Sequence, residues 1–190
     1  DGTTTELWRD SNNTWVDLVP GSPALTKSAQ LVVVADRDDV KRILVDGNAV
    51  TPTSLNVRSL VSVSDESIVF MANEITHPEA ASAWKWTPSS LEALTALDGN
   101  HSIAIGGPTQ VVRRASINLV RATTTVSTTL NGAPTTHTLE SFSEEALVQP
   151  NVQFIRAGKR QIPCALILPR DIKPGTKLPV LMDPYGGPHA

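Results

Sequence analysis

The sequence predicts a mostly β fold over residues 1–148, as a sandwich, a barrel or part of a propeller. Short β-branched and apolar runs alternate with turn-forming residues at spacings of roughly 8–12 residues. A strand ending in an acidic turn, followed by an apolar strand, occurs near residues 31–45 and again near 57–72. This loose repetition favours propeller blades, and the predicted strands would supply about two four-stranded blades.

Two stretches within this region each allow two structural interpretations. Trp84 and Trp86 lie two residues apart in a predicted strand and therefore share a face, so a core role is favoured over a ligand platform. Residues 91–97 are ambiguous, because Ser89 and Glu92 have capping-box spacing whereas the neighbouring segments indicate strands. The predicted strands are residues 6–9, 14–19, 31–35, 41–45, 57–63, 67–72, 83–87, 102–105, 109–114, 117–121, 123–130 and 135–139.

A domain boundary is predicted just after residue 148, which divides the chain into residues 1–148 and 149–190. Residues 141–148 before it predict a short connecting helix. Ser141 and Glu144 have capping-box spacing, and acidic residues in a first turn are favoured by the helix dipole.

The second predicted domain begins with a β-hairpin formed by residues 152–157 and 161–168. A polar loop containing Pro and Gly follows. The short apolar run Val180–Met182, bounded by Pro179 and Pro184, suits a strand that is buried on both faces.

The chain's last stretch breaks this strand with the sequence Pro184-Tyr185-Gly186-Gly187-Pro188. Adjacent glycines allow positive φ angles or a close backbone approach, and the prolines fix the entry and exit of the loop. The strand would therefore deliver the phenol of Tyr185 beyond its carboxyl end, which is where ligands of open α/β sheets bind.

The stretch from Pro179 to Pro188 resembles the opening strand of the peptidase domain in the prolyl oligopeptidase and dipeptidyl peptidase IV family of serine peptidases. The preceding residues, Gly158 and Ile162 to Pro169, are similar to that family's hairpin. Val63 to Glu74 is similar to a strand–turn–strand of its last propeller blade. The resemblance implies the C-terminal blades of a β-propeller followed by the first strands of an α/β-hydrolase domain.

The resemblance also implies an activity for the whole protein, namely serine-type hydrolysis of short peptides, often with Pro or Ala near the scissile bond. Tyr185 would donate its hydroxyl to the oxyanion hole, with Gly186, Gly187 and Pro188 supporting the loop. The family's Ser-His-Asp triad lies beyond this loop, and no G-x-S-x-G elbow occurs in the chain. We therefore expect residues 1–190 alone to be inactive.

Two alternatives stay open at the level of sequence. The first is a non-catalytic propeller or sandwich that acts as a binding module. The second is an acyl-aminoacyl hydrolase or esterase of the same architecture, whose relatives often carry a His-Gly-Gly loop. Exopeptidase and endopeptidase action also stay open, because the Glu144-Glu145 pair lies in the connecting segment and is not assigned to substrate binding.

Composition argues against several other classes of protein. The net charge of −3 gives no reason to expect nucleic acid, and no run approaches the ~18 apolar residues of a membrane span. The single cysteine, Cys164, lies in an apolar stretch and is expected to be a buried, inert thiol. The four histidines lack metal-ligand spacing, so we expect no metal. The sequence has no phosphate loop and no nucleotide fingerprint, and we expect no cofactor.

The chain begins at Asp1 without a secretory leader, and both of its ends look like cuts into a longer protein. We expect a cytoplasmic location and a peptide substrate as the partner. Propeller blades without a closed ring expose strand edges, so a homo-oligomer is also an expectation.

Overall fold

The computed structural model describes residues 2–117, 119–145 and 147–183 of the chain. Every regular element within these ranges is a β-strand, and they contain no helix. The chain divides into two compact units, Asp1–Leu147 and Val148–Ala190. The domain boundary inferred from the sequence stays a prediction.

The first unit contains three antiparallel four-stranded meanders, which we call blades 1, 2 and 3. Blade 1 consists of β1 (Ala24–Leu25), β2 (Leu31–Arg37), β3 (Val40–Val45) and β4 (Asn48–Ala49). Blade 2 consists of β5 (Leu55–Val63), β6 (Ile68–Glu74), β7 (His77–Thr87) and β8 (Ser90–Ala93). Blade 3 consists of β9 (Asn100–Gly106), β10 (Thr109–Ala115), β11 (Thr123–Leu130) and β12 (Ala133–Leu139).

The predicted β fold with propeller-like blades is confirmed, but the expected number of blades was too low. The strands of blade 3 were predicted, but the loose repetition near residues 31–45 and 57–72 that supported a count of about two does not extend to them. Residues 91–97, which were ambiguous, begin as strand β8. Blades 2 and 3 are joined by a single parallel bridge between Ala81 and Asn100.

Two-residue turns with positive φ at both positions close three of the antiparallel pairs. Such turns match the right-handed twist of the strands they connect, and Asn, Asp and Gly tolerate the conformation best. The turn residues are Asp38 and Asp39, Asp46 and Gly47, and Asn131 and Gly132.

The main hydrophobic core lies between blades 1 and 2. Ile43 of blade 1 and Val57 and Phe70 of blade 2 are fully buried in it. Trp84 and Trp86 pack against this cluster while remaining partly exposed. The predicted core role of the tryptophan pair is therefore confirmed.

The N-terminal segment, residues 2–19, forms no strand, so the strands predicted at 6–9 and 14–19 are wrong. Side chains hold this segment instead of a β ladder. Trp8 packs against the outer core of blade 1, and the Arg37 guanidinium lies 5.7 Å from the centroid of its ring. A strand forms only where a partner edge is available, and local alternation carries no information about that edge.

Blade 3 is less buried than the other two blades. Every residue of its outer strand β12 is exposed, and His101 is the one buried side chain among the described residues of this blade's strands. The strand predicted over residues 117–121 is wrong for the described positions, where Leu119 instead donates a hydrogen bond to the Ser116 carbonyl in a turn.

The helix predicted over residues 141–148 is also wrong, because its described residues have no helical structure. The Ser141 hydroxyl lies 2.9 Å from the Ser143 hydroxyl in a local turn. The Ser141 carbonyl accepts a 2.9 Å bond from Arg121, which also pairs with Glu145. These contacts occupy the hydroxyl and the carbonyl of Ser141, which a helix capped at that residue would have needed.

The second unit contains the predicted hairpin, formed by β13 (Asn151–Ala157) and β14 (Ile162–Leu168). Gly158 has a φ of 65° in the turn between them. The hairpin prediction is confirmed with boundaries one residue from those expected.

Candidate functional site

The residues predicted to form the oxyanion loop, Tyr185, Gly186, Gly187 and Pro188, lie outside the described residues. Their placement and their role therefore stay predictions.

The segment leading to that loop is described up to Asp183. It forms no strand, so the buried strand predicted at Val180–Met182 is wrong. Val180 is 77 % exposed and Leu181 is 94 % exposed. A strand buried on both faces needs a neighbour on each side, and the described part of this unit offers only one hairpin.

Cys164 lies in β14 and is half-buried, whereas burial was predicted. A two-stranded ribbon leaves both faces open to solvent, which explains the difference. Its Sγ lies 3.4 Å from the Ile162 carbonyl oxygen.

Within the described residues, no three His, Cys, Asp or Glu side chains gather into a possible metal site. The same residues contain no helix long and apolar enough to cross a membrane.

The larger of two clefts of interest in the first unit lies between the N-terminal segment and blade 1. It has a volume of about 670 Å³, and Trp8 and Val33 are among the apolar side chains that line it. Its two carboxylates are already paired, Asp10 with Arg37 and Asp17 with Lys41. The cleft therefore offers shape and apolar surface but no unpaired acid for chemistry.

A second, polar pocket of about 430 Å³ lies at the junction of blades 2 and 3. Two β-bulges meet there. One inserts Arg58 as an extra residue of β5, between Val57 and Ser59, and the other inserts residues 78–81 of β7 opposite Asn73. Bulges of this kind re-aim side chains that a regular ladder would direct elsewhere. The pocket is lined by Arg58, Ser59, Met71, Asn73, Pro78, Glu79, Ala81, Asn100 and His101.

Asn73 connects the two bulges and is only 6 % exposed. Its amide nitrogen donates hydrogen bonds to the carbonyls of Pro78 and Ala80. Carbonyl oxygens only accept hydrogen bonds, so this contact fixes the orientation of the side-chain amide. The Asn73 oxygen must then point the other way, where it accepts a 3.3 Å bond from Arg58.

The wall contributed by blade 3 is tied to blade 2 by three further hydrogen bonds. The Ala81 amide donates to the Gly99 carbonyl at 3.0 Å, and the Asn100 side chain donates to the Glu79 carbonyl at 3.4 Å. Nδ1 of His101 lies 3.2 Å from the Ala81 carbonyl oxygen and must therefore carry the proton of that bond. The pocket's walls are held by backbone and buried polar contacts.

Sequence reasoning did not identify this pocket. Leu55-Asn-Val-Arg58 alternates as an ordinary half-buried strand, and Arg58 is exposed in the structure as that alternation requires. A bulge has no reliable signal in such a run. Residues 73–78 were interpreted as a polar loop. Pro78, which interrupts this stretch, is the feature of the sequence that could have indicated the second bulge.

No protein-family model matches the chain, and no curated protein sequence matches it. The fold nevertheless matches the crystal structure of Porphyromonas gingivalis dipeptidyl peptidase 4 with a TM-score of 0.64 at 13 % sequence identity. The match covers 87 % of this chain and 26 % of that chain. The chain therefore has the fold of part of a dipeptidyl peptidase and spans about a quarter of that protein's length.

Proposed function

We propose that this chain belongs to a serine peptidase of the dipeptidyl peptidase IV type, to which it contributes propeller blades and the first strands of the hydrolase domain. The observation that carries the proposal is the fold likeness, which covers 87 % of the chain. That share is larger than the first unit, so the likeness includes residues of both units.

The order of the elements supports the same assignment. Three blades are followed by the hairpin β13–β14, then by the apolar run ending at Met182, and then by Tyr185 and its glycines. A peptidase needs a donor for the oxyanion of the tetrahedral intermediate, and in hydrolases of this architecture one donor comes from the loop after the third strand.

In this proposal the Tyr185 hydroxyl donates a hydrogen bond to the oxyanion formed when a serine attacks the scissile carbonyl. A histidine takes the serine's proton and an aspartate orients that histidine. All three groups would follow Ala190. The substrates would be short peptides, because a propeller restricts access to the active site. The resemblance to the family implies Pro or Ala near the scissile bond.

The second candidate is a non-catalytic propeller that binds a partner. It is favoured by one observation, the absence of a strand in the described residues 178–183. In that case Tyr185 would lie in an ordinary loop, and no serine would react with an active-site probe.

Substitution of Tyr185 tests the proposal in the intact protein. Tyr185→Phe removes only the hydroxyl, and loss of one oxyanion donor lowers turnover about 10²- to 10³-fold. The measurement is kcat and KM with prolyl and alanyl dipeptide substrates. We expect the loss in kcat and a nearly unchanged KM, because the donor acts on the intermediate.

Thr176→Val is the matched control, because it removes a hydroxyl from an exposed loop of the same unit. We expect turnover of this variant within about two-fold of the parent protein. A Tyr185→Phe variant that also stays within about two-fold would refute the oxyanion role.

A further inference from the structure

We propose that the polar pocket between blades 2 and 3 binds a small carboxylate, held by Arg58, of the kind found at the C-terminus of a short peptide or on an N-acylated amino acid. This goes beyond the proposed function, since it requires neither a catalytic triad nor Tyr185.

The Arg58 guanidinium has hydrogen-bond donors available for a ligand. One of its nitrogens bonds to Asn73, and its remaining N–H groups bond to none of the described residues. It forms no ion pair with them either, whereas Arg42 of β3 and Arg114 of β10 are paired with Asp38 and Asp98. An arginine fork with free donors on one edge suits a carboxylate, which can accept two parallel hydrogen bonds.

Arg58 is exposed, but its side chain is anchored to the protein by Asn73. Its backbone lies at a bulge, and its side chain is bonded to a buried amide whose orientation two carbonyls determine. A cation restrained in this way loses less conformational freedom on binding than an unrestrained surface arginine. Bulges also occur preferentially next to binding sites.

The charges of the side chains that line the pocket favour a ligand with a single negative charge. The lining contains one arginine and one carboxylate, Glu79, whose Oε1 lies 3.1 Å from Nδ1 of His77. A phosphate would bring up to about two negative charges toward this carboxylate, while a carboxylic acid brings a single charge. A single guanidinium therefore matches the monoanion.

His101 and Asn100 provide hydrogen-bond acceptors for the group next to the carboxylate. Nδ1 of His101 donates to the Ala81 carbonyl, so Nε2 of the neutral ring is an acceptor. The Asn100 nitrogen donates to the Glu79 carbonyl, which leaves the Asn100 side-chain oxygen as a second acceptor. Both side chains line the pocket and suit an amide N–H adjacent to the carboxylate.

The test is calorimetric titration of the intact protein with N-acetylalanine, N-acetylalaninamide and inorganic phosphate. A charge-assisted fork contributes enough that we expect N-acetylalanine to bind about 10- to 100-fold more tightly than its amide. Arg58→Gln should remove this difference by weakening the binding of N-acetylalanine to the level of the amide. Arg58→Lys, which keeps the charge without the fork, should give an intermediate affinity.

Arg113→Gln is the matched control, because Arg113 is an exposed arginine of β10 that pairs with Ser102 rather than with His101. Its affinity should stay within about two-fold of the parent protein, and all variants should unfold within about 2 °C of it. Equal binding of acid and amide, or an unchanged affinity in Arg58→Gln, would overturn the proposal. Tighter Arg58-dependent binding of phosphate would overturn the assignment to a carboxylate.

Discussion

At the scale of single residues, Asp65 links two blades through one carboxylate oxygen. It lies in the turn between β5 and β6, and its Oδ1 accepts hydrogen bonds from the backbone amide and the hydroxyl of Ser28, both at 2.8 Å. The backbone bond from Ser28 is the largest of the causes that lower the pKa of Asp65 below its usual value of 3.8.

A depressed pKa makes this contact dependent on pH in one direction. The stabilisation by Asp65 is fully present above the unfolded-state pKa, and it is lost as the pH falls through the lower folded-state value. As the pH is lowered from about 4 to the acid limit of folding, we expect the free energy of unfolding to fall less in Asp65→Asn than in the parent protein. Urea unfolding at a series of pH values measures this difference.

Glu92→Gln is the control for that series, because Glu92 is exposed and no hydrogen bond or ion pair is found for its side chain among the described residues. Its pH profile should follow that of the parent protein. Parallel profiles for Asp65→Asn and the parent protein would contradict the role given to the Ser28 contact.

Phe70 tests the core between blades 1 and 2. Its side chain is 0 % exposed, whereas Phe142 is 88 % exposed. We expect Phe70→Ala to lower the free energy of unfolding by about 3–5 kcal/mol, because it leaves a cavity in the shared core. Phe142→Ala should change that free energy by less than about 0.5 kcal/mol. Similar values for the two variants in chemical denaturation would refute this account of the core.

At the scale of elements, the connection into blade 1 is packed closely on the first strand of blade 2. The Pro20 carbonyl accepts a 2.9 Å hydrogen bond from the Leu60 amide. Gly21 follows with a φ of +84°, and a Cβ added there would lie 2.5 Å from the Leu60 carbonyl oxygen. Only glycine fits this close approach.

A pair of glycine substitutions separates backbone strain from steric overlap. Gly47 has a similar φ of +82°, but a Cβ added there meets nothing within 4 Å. We expect Gly47→Ala to cost about 1–2 kcal/mol for the left-handed backbone, and Gly21→Ala to cost about 1–3 kcal/mol more. Equal unfolding free energies for the two variants would contradict the close contact with Leu60.

The elements also show how far the sequence could predict the fold. Asp46-Gly47 and Asn131-Gly132 mark hairpin turns by residue type alone, so β3, β11 and β12 beside them were predicted, although the two-residue strand β4 after Gly47 was not. Residues 14–19 and Val180–Met182 have equally good strand patterns but no partner edge in the described structure. Pairing is a tertiary property, and a local pattern does not contain it.

The helix predicted at 141–148 fails for a related reason. Its capping-box residues have the right spacing. However, Arg121, which is distant in sequence, donates hydrogen bonds to the Ser141 carbonyl and to the Glu145 carboxylate. The polar pocket was missed because its geometry depends on bulges. Arg58 reaches Asn73 from the first of two bulges in β5, where the ladder leaves Arg58 unpaired.

At the scale of the whole molecule, most of the buried apolar side chains found among the described residues belong to blades 1 and 2. Blades 1 and 2 share an apolar core, while blade 3 keeps an exposed outer strand and is joined to blade 2 by the bridge at Ala81 and Asn100 and by the hydrogen bonds of Ala81, Asn100 and His101. The polar pocket lies at this attachment. We therefore expect the opening of blade 3 from blade 2 to compete with carboxylate binding, since binding stabilises only the closed arrangement.

Hydrogen exchange measures that competition directly. The amide of Ala81 donates to the Gly99 carbonyl across the junction, and it should exchange more slowly when N-acetylalanine is added to the intact protein. The amide of Leu44, deep in blade 1, should show no such change at ligand concentrations that leave global stability unaltered. An unchanged rate at Ala81 under saturating ligand would contradict the coupling.

The central claim is that the chain is part of a serine peptidase, and active-site labelling tests it most directly. The intact protein is treated with a fluorophosphonate probe, and the labelled peptide is identified by mass spectrometry. The account predicts labelling of one serine in a G-x-S-x-G elbow that follows Ala190, together with faster cleavage of prolyl and alanyl peptides than of simple esters. An intact protein with no labelled serine would contradict the peptidase assignment and favour a propeller that only binds.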